Sequence, residues 1–179
     1  MVDLSAIAKW PNVPACYEWL SLDRRGDWRL QRERVTHRGL IEFMNRQYGS
    51  DETGRWFVQN GPQRVYVDLA CTPWVFRRDG AGFIAHTGAP AGEIRHVLID
   101  EEGSILLLGE PGIGLLDDRD LATFLDECRL ADGSLAEETA FAELMGGDHG
   151  TINWKGLPLT ATLARELPER FGFQPRPRG

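Results

Sequence analysis

Two stretches of this chain, 77 residues apart, share one pattern: an apolar strand, an Asp-x-x-Gly turn and a second apolar strand. The first is Leu20-Ser21-Leu22-Asp23-Arg24-Arg25-Gly26-Asp27-Trp28-Arg29-Leu30. The second is Val97-Leu98-Ile99-Asp100-Glu101-Glu102-Gly103-Ser104-Ile105-Leu106-Leu107. An Asp side chain can bond the backbone of such a turn and Gly can take φ > 0, so each stretch predicts a β-hairpin.

The likeness continues downstream. At an offset of 81, Arg38-x-Leu40-x-x-Phe43 matches Arg119-x-Leu121-x-x-Phe124. Helices are expected over 36–48 and 117–129, capped by Thr36 and Asp117, with Gly49 as a stop. Leu40, Phe43 and Met44 share one helical face; Leu121, Phe124, Leu125 and Cys128 share the other's. At an offset of 95, Gly61 matches Gly156, Pro73 matches Pro168 and Phe76 matches Phe171. Asn60-Gly61 predicts a hairpin into Arg64-Val65-Tyr66-Val67-Asp68-Leu69, which alternates like a half-buried strand. Ile152-Asn153-Trp154-Lys155-Gly156 takes the corresponding place. The expected fold is therefore α+β, with two pseudo-repeated hairpin–helix–hairpin units forming small antiparallel sheets. The units span 16–94, including a connector from about 77, and 95–174, after an N-terminal segment 1–15 and before a frayed tail 175–179. The second copy carries the Gly-rich run 109–114, read as a flexible insertion, and an extra short helix within 135–145.

Composition narrows the function classes. With 42% apolar and 26% charged residues, the 179-residue chain can bury a core. Its net charge of −7 disfavours non-specific binding to nucleic acid. Of its 20 basic residues 18 are Arg, which fits the codon bias of a GC-rich genome and does not itself mark a phosphate site. Cys16, Cys71 and Cys128 are widely spaced, so neither a disulfide framework nor a zinc site is expected. Met1-Val2-Asp3-Leu4-Ser5 lacks the features of a signal peptide, and no apolar stretch is long enough to span a bilayer. A cytoplasmic protein without nucleic-acid or membrane partners is the expectation.

Trp19, Asp23-x-x-Gly26-x-Trp28, Arg38-Gly39-Leu40-Ile41-Glu42-Phe43, Gly54-Arg55-Trp56-Phe57 and Asn60-Gly61-Pro62-Gln63-Arg64-Val65-Tyr66-Val67-Asp68 form a recognisable set. Together they resemble a family of uncharacterised proteobacterial proteins classed as a domain of unknown function. The order of elements is similar to a second bacterial family of unknown function, with a repeated α+β fold and a suggested role in signalling. The resemblance covers most of 11–130. It implies a fold and carries no catalytic assignment.

No motif of a named chemistry stands out. Gly109-Glu110-Pro111-Gly112-Ile113-Gly114 has the glycine spacing of a phosphate loop, but Leu115-Leu116 follow where Lys and Ser/Thr are needed. His37, His86, His96 and His149 show no metal-ligand spacing. Each cysteine reads as packing and not as a nucleophile. No cofactor or metal is implied. What remains is aromatic and polar: Tyr17, Trp19, Trp28, Trp56, Tyr66 and Trp74 crowd the first copy. Strand alternation puts Arg64, Tyr66 and Asp68 on one face, flanked by Arg55, Asn60 and Gln63. Such a face can stack on a planar ligand or hold a peptide strand, or it can be a structural lattice over the sheet. The candidate ligand-binding set is Arg55, Trp56, Asn60, Gln63, Arg64 and Tyr66. The leading reading is a non-enzymatic module, regulatory or signalling in role, that binds a small molecule or a protein. The alternatives are a small hydrolase using Asp148 and His149, and an assembly protein that forms a homodimer through a sheet edge or the groove between repeats.

Overall fold

Val97-Leu98-Ile99 and Ile105-Leu106-Leu107 point alternately into two different cores. Leu98 and Leu106 join a first core, and Val97, Ile99, Ile105 and Leu107 a second. All six are at most 2% exposed. This is why these strands are continuous apolar runs and not alternating ones: each lies in a sheet covered on both faces. Full burial of each such side chain contributes roughly 1.5–3 kcal/mol.

A computed structural model describes residues 11–179; the leader expectation for residues 1–5 lies outside them. In chain order the elements are β1 (Ala15–Leu22), β2 (Trp28–Leu30), β3 (Glu33–Arg34), α1 (Arg38–Gln47), β4 (Tyr48–Ser50), β5 (Trp56–Asn60), β6 (Gln63–Leu69), β7 (Trp74–Asp79), β8 (Gly82–Ala85), β9 (His96–Ile99), β10 (Ile105–Leu108), β11 (Ile113–Leu116), α2 (Leu121–Asp126), β12 (Cys128–Leu130), α3 (Glu138–Met145), β13 (Ile152–Trp154), β14 (Leu157–Ala161) and α4 (Leu167–Phe171). The fold is mixed α+β and mostly β, with four short α-helices among the described residues.

Sheet one has six strands in the order β4-β5-β6-β1-β2-β3. Sheet two has eight, in the order β12-β13-β14-β9-β10-β11-β7-β8. One face of sheet one and α1 (Leu40, Met44) pack on the Leu98/Leu106 face of sheet two. Helices α2 and α3 cover sheet two's other face through Phe124, Phe141 and Leu144.

The expected hairpins form. Asp23 and Asp100 each accept from two backbone N–H groups with one carboxylate oxygen: Arg25 and Asp27 for the first, Glu102 and Ser104 for the second. Gly26 and Gly103 sit at φ 79° and 83°. Asp51-x-x-Gly54 is a third turn of the same kind, joining β4 to β5.

Several expectations are corrected. The sheets are not purely antiparallel, because β1 pairs parallel with β6, β9 with β14 and β7 with β11. Strands β7 and β8 extend sheet two although their sequence lies within 16–94, so sheet two draws on both stretches while sheet one comes from 15–69 alone. In the Pro73/Pro168 and Phe76/Phe171 matches, Pro73 precedes β7 and Phe76 lies in it, whereas Pro168 and Phe171 lie in helix α4. Helix α1 is capped by His37, whose Nδ1 accepts from the Leu40 N–H at 3.2 Å, and not by Thr36. Gly49 lies in β4 and is not a stop, because the chain passes straight from α1 into a strand at Tyr48. The second helical stretch is a 3-10 turn over Asp118–Asp120 plus α2, and Cys128 is in β12. The Gly-rich run is a tight hairpin between β10 and β11, closed by reciprocal bonds between Gly109 and Gly112. The tail is seated on sheet one: Leu69 N–H donates to the Pro175 carbonyl at 2.8 Å, and Pro177 is buried.

The seam between the sheets is aromatic. Trp28, Tyr48 and Trp74 surround His86, with ring centroids 5.4–5.8 Å from it. The His86 Nδ1 accepts from the Val75 N–H, while Nε2 is buried without a polar partner. Burial pulls the imidazole down from 6.5 to about 3. A proton on Nδ1 would also break the Val75 bond, so the folded protein holds this ring neutral.

Two predictions follow from these contacts. A Cβ on Gly54 (φ 81°) would land on the Gly172 carbonyl oxygen, whereas one on Gly103 (φ 83°) meets nothing. Gly103→Ala should lower unfolding free energy by roughly 1–2 kcal/mol, and Gly54→Ala by about 3 kcal/mol or more. Equal losses in urea titrations would refute the close approach. Below pH 6.5 the unfolded chain protonates His86 while the folded one does not, so stability falls as pH falls towards about 3. The slope should reach about 1.4 kcal/mol per pH unit and flatten in His86→Gln. Parallel stability curves for wild type and variant between pH 6.5 and 4 would contradict the assignment.

Candidate functional site

The six sequence candidates divide among three environments. Arg55, Arg64 and Tyr66 belong to the outer face of sheet one. There the Tyr66 ring stacks on Tyr17 at 4.7 Å and 4°, and the Arg55 guanidinium lies 4.8 Å from its centroid. Arg64 covers Phe57 in the same way at 4.5 Å. Tyr66 is only 4% exposed, so its ring is covered and not a stacking surface. Trp56 turns to the other side, against Tyr48 and Trp74. Asn60 and Gln63 serve the β5–β6 hairpin: the Gln63 amide donates to the Pro11 and Val13 carbonyls at 2.6 Å, and the Asn60 amide donates to the Gln63 oxygen. Gln63 is thus consumed in holding the segment before β1.

Arg55 also has a fixed task. Its Nε donates to Asp51 Oδ2 at 2.9 Å. Burial alone would raise the Asp51 carboxyl, but bonds from the Thr53 hydroxyl, the Arg55 and Thr53 backbone and the Arg55 guanidinium outweigh it and leave the group at about 2.

A groove of about 760 Å³ opens beside this lattice. Its walls come from β1, the end of β6, the β2–β3 turn and the C-terminal tail. Two backbone irregularities shape it. Strand β1 bulges between Cys16 and Leu20, with Glu18 at φ 60°. Gln31 and Arg32, the two residues linking β2 to β3, sit at φ 48° and 75°. Such a two-residue turn favours Asn-Gly, because both positions need φ > 0. The sequence signal for this site was the Arg-rich run around Arg29 and Arg32; the contribution of Arg176 and Arg178 was hidden in a tail expected to fray.

The charged groups in the groove are partly matched. Arg29 pairs with Asp23 at 2.9 Å. Arg178 pairs with Asp68 at 2.9 Å and with Glu18 at 3.2 Å. Arg32 and Arg176 also line the groove and have no carboxylate partner among the described residues. The Trp19 indole forms part of the wall, and its Nε1 is buried without a partner.

Other candidates are placed as follows. Asp148 and His149 are exposed in the loop after α3 and do not line this groove. Burial raises the thiols of Cys16, Cys71 and Cys128, the last to about 12 with Glu127 adding to the effect, which holds all three protonated. Among the described residues no group of three or more His, Cys, Asp or Glu is arranged to hold a metal ion, and no helix is long and apolar enough to cross a membrane.

Comparison with solved structures gives two likenesses. The crystal structure of a DUF1285 family protein from Silicibacter pomeroyi DSS-3 superposes with a TM-score of 0.54 at 16% identity, covering 92% of this chain and 97% of that one. A DUF1285 family protein from Shewanella baltica OS155 gives a TM-score of 0.41 at 15% identity, over 59% of this chain and 89% of the other. No curated protein matches the chain. The first likeness shows a shared fold at an identity too low to carry function. A family model described as "Protein of unknown function (DUF2946)" matches residues 1–178, and the chain therefore belongs to this family, DUF2944.

Proposed function

We propose that this protein is a binding module that takes an anionic small molecule in the groove of sheet one. The charge balance carries this reading. Four arginines face three carboxylates in the groove; Arg178 is shared between Asp68 and Glu18, so one positive charge is in excess and Arg32 and Arg176 carry no carboxylate partner among the described residues. They come from separate segments, the β2–β3 turn and the tail, so one ligand can engage both. A guanidinium fork matches phosphate or carboxylate oxygens in a bidentate way. A local positive field of this kind is compatible with an acidic protein overall.

Backbone strain supports the same place. Holding a non-glycine residue at φ > 0 costs roughly 1–2 kcal/mol, and such strain tends to persist where a ligand needs it. The aromatic lattice of Tyr17, Phe57 and Tyr66, with Arg55 and Arg64 over it, then acts as the rigid floor next to the groove. The two sheets share a strand order, β4-β5-β6-β1-β2-β3 against β12-β13-β14-β9-β10-β11, which supports reading the halves as diverged copies of one unit. The copy containing the groove is the one that acquired a binding role, consistent with a regulatory module.

Pyrophosphate and citrate are suitable probes in calorimetric titrations at low salt. Wild type should bind at least one of them saturably. Arg32→Ala combined with Arg176→Ala should weaken binding roughly tenfold or more with an unchanged circular dichroism spectrum. No binding of either probe, or equal binding by the double variant, overturns the reading.

The strained turn offers a separate check. Replacing Gln31-Arg32 by Asn-Gly should raise unfolding free energy by roughly 1 kcal/mol and at the same time weaken probe binding. A stabilised variant that binds as well as wild type would show that the turn's strain serves no ligand.

A further inference from the structure

A second cavity, of about 210 Å³, lies where α4 and the chain after it meet the β4–β5 turn and the β10–β11 hairpin. Trp56, Trp74, Phe171 and Phe173 line it, together with Asp51 and Glu52. No Lys or Arg side chain does. Its chemistry is opposite to that of the groove.

The two indoles form a corner, with centroids 5.3 Å apart and planes at 81°. The Trp74 Nε1 donates to the Pro111 carbonyl at 3.0 Å, so its polar end is already satisfied and the ring offers π surface. Asp51 is held by Arg55, whereas Glu52 is exposed and has no ion-pair partner among the described residues. The corner is fixed from behind. Tyr48 packs on both Trp56 and Trp74 and donates its hydroxyl to the Pro73 carbonyl at 2.6 Å. Gly54, which can carry no Cβ against the Gly172 carbonyl, lets the chain after α4 close the wall.

Aromatic faces at right angles attract a cation through their quadrupoles, most strongly when the cation is poorly hydrated, and a nearby carboxylate adds a charge term. We propose that this cavity binds a small quaternary or methylated ammonium ion, with Trp56 and Trp74 as cage walls and Glu52 as the counter-charge. The site is independent of the anion groove. It gives Trp56, a sequence candidate that faces away from the outer lattice, a role as a ligand contact.

Choline and its neutral isostere 3,3-dimethylbutanol can be titrated into the full-length protein, with tryptophan fluorescence as the readout. Choline should quench saturably and bind roughly tenfold tighter than the isostere. Glu52→Gln, an exposed change, should weaken choline about threefold and reduce the salt dependence of binding. Trp56→Leu should abolish binding, with Trp56→Phe retaining part of it if the loss reflects the ring and not misfolding. Arg32→Ala should bind choline as wild type does, which separates this site from the groove. Equal affinity for choline and the isostere, no saturable response to choline, or an unchanged affinity in Glu52→Gln would overturn the proposal.

Discussion

The double burial of β9 and β10 is the constraint on which the rest of the molecule depends. Their alternate side chains enter two cores, so sheet one must lie on one face and α2 and α3 on the other. On the β9 side, β14 pairs parallel with β9 after a long crossover. On the β10 side, β11 links the central strands to β7 through another parallel pair. Strands β7 and β8, which follow sheet one in sequence, are recruited in this way to the sheet that most needs covering.

That arrangement explains what the sequence made legible. The Asp-x-x-Gly turns are local: one carboxylate, one or two N–H groups and a glycine at positive φ decide them without tertiary help. The Asn60-Gly61 hairpin and the helix within 135–145 are local in the same sense. The α+β class followed from such signals, and the unknown-function family from the resemblance carried by the motifs between Trp19 and Asp68. The parallel pairings are not local, since nothing in Val65 or Val67 says that Cys16 and Leu20 lie beside them. A glycine run that closes a tight β10–β11 turn also looks like a flexible loop when its partner strand is unknown.

The candidate site was legible in part for a related reason. Alternation in β6 placed Arg64, Tyr66 and Asp68 on one face. It could not show that Tyr17 would stack on Tyr66, because a bulge in β1 sets which residues reach that face. Several arginines are likewise used inside the fold, against carboxylates of the second stretch. Arg25 crosses to Asp118 in a bidentate pair, Arg78 holds Glu127 and Arg119 holds Asp117. The exposed Arg25–Asp118 pair adds little stability, whereas Asp117 and the Arg78–Glu127 pair are largely buried; all three pairs fix loop positions and remove charge from the surface field. Lack of a carboxylate partner is common among the described arginines, so Arg32 and Arg176 are informative because they line one groove from two segments and not because they are unpaired.

The C-terminal segment shows how far a few residues without regular structure can matter. Phe171 and Phe173 wall the aromatic cavity, and Arg176 and Arg178 wall the groove. Between them the Gln174 N–H donates to the Gly54 carbonyl, the Pro175 carbonyl accepts from Leu69, and Pro177 is buried. Prolines at 175 and 177 restrict φ and keep the segment extended, which lowers the entropy lost when it docks. Composition alone reads such a segment as frayed, since it lacks a large apolar anchor. Its backbone bonds and fixed dihedrals supply the anchoring instead, so two cavities of opposite polarity share one short piece of chain as a common wall.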